Sequence, residues 1–336
     1  MEQMDGGVAL FFSAPERVRS NDTQHPFRQD SYFHYLTGFP EPESVAVLLP
    51  GHAEHRFVLF VRPRDPERET WDGRRAGPEG AKDHFDADAA YPIAELAERL
   101  PGLLENQERL YYGLGRQTEK DQLVLAAIAG LRGKVRQGIR GPSILIDPAA
   151  LLDEMRLIKS PSELDLMREA AAISRDAHKA AMRAVRPGIH EYELQALIEY
   201  EFRRRGASGP AYGTIVGSGV NATILHYTEN ESRCEAGDLV LIDAGAEFGT
   251  YSADITRTFP VSGTFTPPQR EVYEIVLSAQ LAAIDKVRPG NSFDEVHEAA
   301  LRVQVEGLIR LGILSGTVEE EIESEKYKAF FMHRTS

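Results

Sequence analysis

The second half of the chain repeats itself, and that repeat restricts the fold more than any other feature. Ala177 to Leu194 reads AHKAAMRAVRPGIHEYEL and Ala279 to Val296 reads AQLAAIDKVRPGNSFDEV, sharing V-R-P-G-x(4)-E at an offset of 102 residues. Each copy is a helix pattern, a Pro-Gly break and a second helix pattern. Solenoid repeats recur every 20 to 50 residues or so, roughly half this period at most, so the spacing predicts one internally duplicated domain with halves related by a pseudo-twofold. Chance agreement at a common kind of helix end is the alternative. The shared A-x-x-A-A upstream of both breaks argues for duplication.

The first half has a different texture. Residues 44–49 (SVAVLL), 56–61 (RFVLFV), 110–114 (LYYGL) and 143–146 (SILI) are short runs rich in β-branched and aromatic residues, bounded by turn formers, and read as strands. PIAELAERL and TEKDQLVLAAIAGL, between them, read as helices. A chain of 336 residues suits two domains. The expected division is an α/β domain with a mixed sheet over residues 1–150 and a duplicated α+β domain over residues 160–336. At the junction, Ser160-Pro161-Ser162-Glu163 supplies a capping hydroxyl, a proline at the first helical position and a glutamate at the third. Leu166, Ala170, Ile173, Ala177 and Ala180 then predict one buried helix face.

Charge and cysteine usage narrow the chemistry. With 38 basic and 52 acidic residues the net charge is −14, which argues against a nucleic-acid or anionic-membrane surface. The opening MEQMDGGVALFFSAPERV has acidic residues where a signal peptide is basic, and VALFF is too short for a membrane span, so a cytoplasmic location is expected. Cys234 is the sole cysteine. An internal disulfide and a thiolate zinc cluster are therefore excluded, and any metal would need oxygen and nitrogen ligands.

LIDAGAEFGTYSADITRTFP, from Leu241 to Pro260, places two aspartates on neighbouring strand patterns. Asp238 to Asp243 reads as a buried strand, and Tyr251 to Phe259 alternates as a second. A hairpin turning about Phe248-Gly249 would set Asp243 directly opposite Asp254, with Cβ atoms roughly 4.5–5.5 Å apart. Carboxylates so placed repel unless a divalent cation offsets the charge. The alternative is that one aspartate merely ends a strand while the other pairs with Arg257.

These residues carry a resemblance. YGTIVGSGVNATILHYTEN, DLVLIDAGAEFGTYSADITRTFPVSGTFT and FFMH are similar to the catalytic domain of the bacterial Xaa-Pro aminopeptidase (aminopeptidase P) family, which has the pita-bread fold. FRQDSYFHYLTGFPEPE, ETWDGRR and EMRLIKSPSE resemble the creatinase-like (prolidase-like) amino-terminal domain of that family and its junction. The likeness covers essentially the whole chain.

The resemblance implies two divalent ions held by two aspartates, one histidine and two glutamates, with manganese expected and cobalt or zinc possible. Asp243 would be the terminal bidentate ligand and Asp254 the bridging one. His226 would stand beside the leaving imide, and His333 on the substrate side opposite. Tyr212 and Arg156 resemble residues near the cleft. Trp71, on a charged loop, reads either as a core anchor or, as in the family, as a residue reaching a neighbouring subunit's cleft, which implies a homo-oligomer. The implied histidine ligand would be residue 337 and both glutamates would follow it. The expectation is therefore a catalytic domain incomplete at its carboxy terminus, lacking three of five ligands, inactive as it stands, with the helix from Pro161 to Val185 partly uncovered. The implied activity of the complete protein is release of the first residue from peptides with proline second, by a metal-activated hydroxide. A dipeptide-restricted prolidase and a non-catalytic pita-bread binding protein are the alternatives.

Overall fold

The computed structural model of the chain describes residues 1–331. The chain divides between Ser160 and Pro161 into two compact units.

A six-stranded mixed sheet organises the first unit. Its spatial order is Ala89–Pro92, Phe57–Val61, Val45–Leu48, Val8–Phe12, Arg109–Tyr111, Ile144–Ile146. Val8–Phe12 lies near the centre, antiparallel to Val45–Leu48 and parallel to Arg109–Tyr111. Val8, Leu10, Val45 and Val47 point into one core, while Ala9, Phe11 and Ala46 point into a second on the opposite face. A strand covered on both sides needs apolar residues at every position. That is why VALFF, a continuous run too short to span a membrane, is a sheet strand. The four strands expected from sequence are present; Val8–Phe12 and Ala89–Pro92 join them.

The second unit begins with the helix Pro161–Ala184, starting at the proline that the sequence places first. Both copies of the repeat form a helix, a break and a helix: Pro161–Ala184 then Glu191–Arg204, and Pro267–Lys286 then Phe293–Arg310. Gly188 and Gly290 occupy equivalent breaks at φ 91° and 94°, a left-handed conformation that glycine adopts without Cβ strain. Two three-stranded sheets lie between the copies in the chain. One runs Ile215–Ser218, Leu239–Asp243, Thr256–Pro260; the other runs Tyr251–Ser252, Ala246–Phe248, Gly209–Pro210.

The first long helix buries Ala170, Ile173, Ser174, Ala177, His178 and Ala181. Two expectations are corrected here. Ala180 is only half-buried and Ala181 takes the inward position, because the stripe widens to include Ser174 and His178. The helix is also not left bare: Ile173, Ala177 and Ala181 sit at zero exposure against Val216, Val240 and Ile242. Exposed apolar side chains gather instead on Pro267–Lys286, at Val272, Val276, Leu281 and Ile284. Among the described residues no helix is long and apolar enough to cross a membrane.

Candidate metal centre and cleft

Asp243 ends the strand Leu239–Asp243, and the chain then runs through Ala244 and Gly245 into Ala246–Phe248 of the other small sheet. The returning arm does the same in reverse. Tyr251 to Phe259 is therefore not one strand but two, Tyr251–Ser252 and Thr256–Pro260, separated where the hairpin crosses between sheets.

The register also differs from the expected one. Phe248 pairs with Tyr251 and Asp243 with Thr256, so Gly249 and Thr250 form the turn. Both have positive φ, 57° and 69°, as a type I′ turn requires. Phe248 packs against the core of this unit and is withheld from the turn, so Thr250 takes the left-handed position. The pairing has moved by two residues. A slip of two preserves which face each side chain occupies, whereas a slip of one would have sent Asp254 to the opposite face. The carboxylates are diagonal neighbours rather than direct partners, and they still converge.

They converge on Tyr212. Its hydroxyl lies 2.5 Å from Asp243 Oδ1 and 3.1 Å from Asp254 Oδ1. A phenol has one proton to donate, so only one carboxylate receives it at a time. Burial first, then the hydrogen bond to Asp243, push this phenol far above its usual range, and it remains a donor. Arg257 does not neutralise the pair: its Nη1 donates to the carbonyl of Thr256 at 2.7 Å, and among the described residues it bridges neither aspartate. Two carboxylates aimed at one point suit a hard divalent cation. Among the described residues no third His, Cys, Asp or Glu completes a cluster with them.

The aspartates line a cleft of about 900 Å³ together with Tyr212, His226, Ile215, Leu225, Ile255 and Arg257. Four of the sequence-nominated residues thus meet in one place. Arg156 and Trp71 belong to the first unit. Arg156 stacks over the Tyr32 and Tyr35 rings at 5.4 and 5.8 Å. Trp71 is 87% exposed on the short helix Pro66–Asp72, which corrects both its expected loop setting and the core-anchor reading. His333 lies outside the described residues.

Three supporting residues escaped the sequence reading. Ser174 and His178, four apart on the buried face of Pro161–Ala184, hold the crossing arm from beneath. Ala246 N donates to Ser174 Oγ at 2.9 Å, and His178 Nε2 lies 3.0 Å from Ala244 O. Their signal was polar side chains inside an apolar stripe. Gly245 is the third: a Cβ there would stand 1.6 Å from the carbonyl oxygen of Ala253, so the two arms approach as closely as backbone permits.

Comparison with known proteins follows the same division. Residues 1–111 match the aminopeptidase P, N-terminal domain family, and residues 165–336 match metallopeptidase family M24. The chain belongs to metallopeptidase family M24, in its aminopeptidase P branch. It is 46% identical over 338 residues to the Xaa-Pro aminopeptidase of Escherichia coli, covering 100% of this chain and 77% of that protein. The Haemophilus influenzae Xaa-Pro aminopeptidase is likewise 46% identical, over 99% of this chain and 75% of its own length. Among solved structures, Pseudomonas aeruginosa aminopeptidase PepP superposes with a TM-score of 0.97 at 50% identity, covering 99% of this chain and 76% of that one. A variant of E. coli aminopeptidase P in complex with substrate gives 0.96 at 46% identity, with the same coverage.

Two outcomes follow from the supports. Gly245→Ala should destabilise the second unit by more than about 3 kcal/mol or prevent its folding, because the backbone contact leaves no room for relaxation; a denaturant titration that matches wild type would contradict the close approach. His178 bears on acid stability. Burial, opposed by its hydrogen bond to Ala244, holds its pKa below the ordinary 6.5, so the native ring stays neutral while the unfolded chain takes up a proton. Its contribution is complete above pH about 6.5 and declines as pH falls toward the native value. His178→Gln keeps a donor without a titrating ring, and the drop in Tm between pH 7 and pH 5 should shrink in that variant.

Proposed function

We propose that this protein is a metal-dependent aminopeptidase that releases the first residue from peptides with proline in second position. The observation that carries the reading is the convergence of Asp243 and Asp254 on one point in a cleft that His226 also lines. Asp243 and Asp254 would hold the divalent ions, with manganese as the favoured species and cobalt or zinc as substitutes. Such ions, when bound, supply a nucleophile at neutral pH and polarise the scissile carbonyl. Tyr212 keeps a proton directed at the carboxylates and fixes their orientation. The imidazole of His226 is exposed in the cleft, where it can order or protonate the leaving imide nitrogen. Ile215, Leu225 and Ile255 give the cleft an apolar wall that suits a proline ring.

Peptides are thus the substrates, and a homo-oligomer in the cytoplasm is the setting proposed. A net charge of −14 favours neither nucleic acid nor an anionic membrane as a partner.

The test uses a polypeptide that continues through the further ligands the resemblance implies. Asp243→Ala and Asp254→Ala should each lower kcat/KM by about 10³-fold or more, because a lost ligand removes the activated nucleophile. His226→Ala should lower kcat by about 10²-fold with metal still bound. A peptide with proline second should be cut at least about 10²-fold faster than its alanine analogue. Equal rates on the two peptides would remove the proline assignment, and full activity in either aspartate variant would remove the metal centre.

A further inference from the structure

The segment carrying His226 is held by a buried carboxylate that the chemistry itself does not use. Glu191 is the first residue of the helix Glu191–Arg204 and has zero exposure. An ionised carboxylate taken from water costs several kcal/mol unless its lone pairs are filled. Here five donor contacts meet its two oxygens. Oε1 accepts from Ser218 N at 2.7 Å, Ser218 Oγ at 2.9 Å and Asn221 Nδ2 at 3.3 Å. Oε2 accepts from the Tyr227 hydroxyl and Ser232 N, both at 2.8 Å. Every donor is neutral. Among the described residues no cation pairs with Glu191, so neutral dipoles and the positive end of its own helix hold the charge.

The donors come from the end of one strand, the turn after it and the far side of the loop. Glu191 N also donates to Ser232 O at 2.9 Å, which closes the loop on the helix start. A second clamp lies one turn along the same helix face. Asn230, also fully buried, donates to Gln195 Oε1 at 2.9 Å and Thr214 O at 2.8 Å and accepts from Val216 N at 2.9 Å. Between the pinned Asn221 and the pinned Tyr227, the exposed Ile224, Leu225 and His226 project from the loop, and Leu225 and His226 line the cleft.

We propose that Glu191 is a positioning residue: its buried charge gathers Ser218, Asn221, Tyr227 and Ser232 and thereby sets where His226 stands in the cleft. This rests on the reading of His226 as the cleft histidine. A carboxylate can meet donors at both of its oxygens because it is acceptor-only. An amide of the same shape cannot, since one of its two heads is a donor facing donors.

Glu191→Gln therefore tests the charge without removing volume. Hydrogen exchange of the 336-residue protein, measured well below its melting temperature, should show amides within residues 219–232 exchanging about tenfold faster or more, with little change in Leu239–Asp243 and Thr256–Pro260. The His226 ring resonance should shift in the same variant. If Glu191→Gln does not fold, Tyr227→Phe removes one donor, leaves the carboxylate in place, and should loosen the same residues to a smaller degree. Acceleration spread evenly over the second unit, or a loop and a His226 resonance unchanged from wild type, would overturn the proposal. Exchange does not depend on turnover, so failure of the activity reading is separable. Localised loosening with full activity in His226→Ala would uphold the anchor and remove the histidine from catalysis.

Discussion

Carboxylates aimed at a common point repel, and the architecture of the second unit is arranged around keeping Asp243 and Asp254 together. Unit charges roughly 5 Å apart at an effective dielectric near 20 oppose one another by about 3 kcal/mol. Covalent connectivity through the hairpin keeps the aspartates close, backbone hydrogen bonds from Ala244 N to Ile255 O at 3.1 Å and from Ala253 N to Ala246 O at 3.0 Å tie the arms together across the side-chain-free Gly245, and the long helix beneath fixes the crossing through Ser174 and His178. Tyr212 can satisfy only one carboxylate at a time. The remaining imbalance is what a divalent cation would remove.

This arrangement explains why the site lies at a crossing between sheets. Within a continuous ladder, successive residues must alternate faces and all backbone groups are taken by neighbouring strands. At the crossing, Ala244 O and Ala246 N are free to bond to a helix, and the absent side chain at Gly245 lets Asp254 approach diagonally. His226 arrives on a separate loop governed by a separate set of buried polar groups. The proposed metal ligands and the proposed proton donor are thus positioned by independent anchors, Ser174 and His178 for the first, Glu191 and Asn230 for the second.

Much of this was legible in the residues. The V-R-P-G repeat foretold two helix–break–helix copies, and the second helices begin at Glu191 and Phe293, at the same offset as the motif. Alternation and the Gly-containing turn showed that Asp243 and Asp254 share a face. What failed was the register, because turn chemistry alone cannot show that Phe248 prefers the core to the turn and leaves Thr250 in a strained conformation. Val8–Phe12 gave no alternation because both its faces are covered. The roles of Ser174, His178 and Glu191 depend on backbone groups distant in sequence, and periodicity carries no information about those partners. For Trp71 the core-anchor reading failed, since a single tryptophan usually repays burial, whereas here it stands on an exposed helix.

The central claim is that Asp243 and Asp254 form the protein's cation-binding point. It is tested most directly by titrating manganese into the 336-residue protein and following water-proton relaxation, with Asp243→Asn and Asp254→Asn as isosteric controls. The account predicts saturable binding on the order of millimolar, as befits a site drawing on few carboxylates, and its loss in both variants. Binding of equal strength in wild type and both variants would place the cation elsewhere and contradict the account.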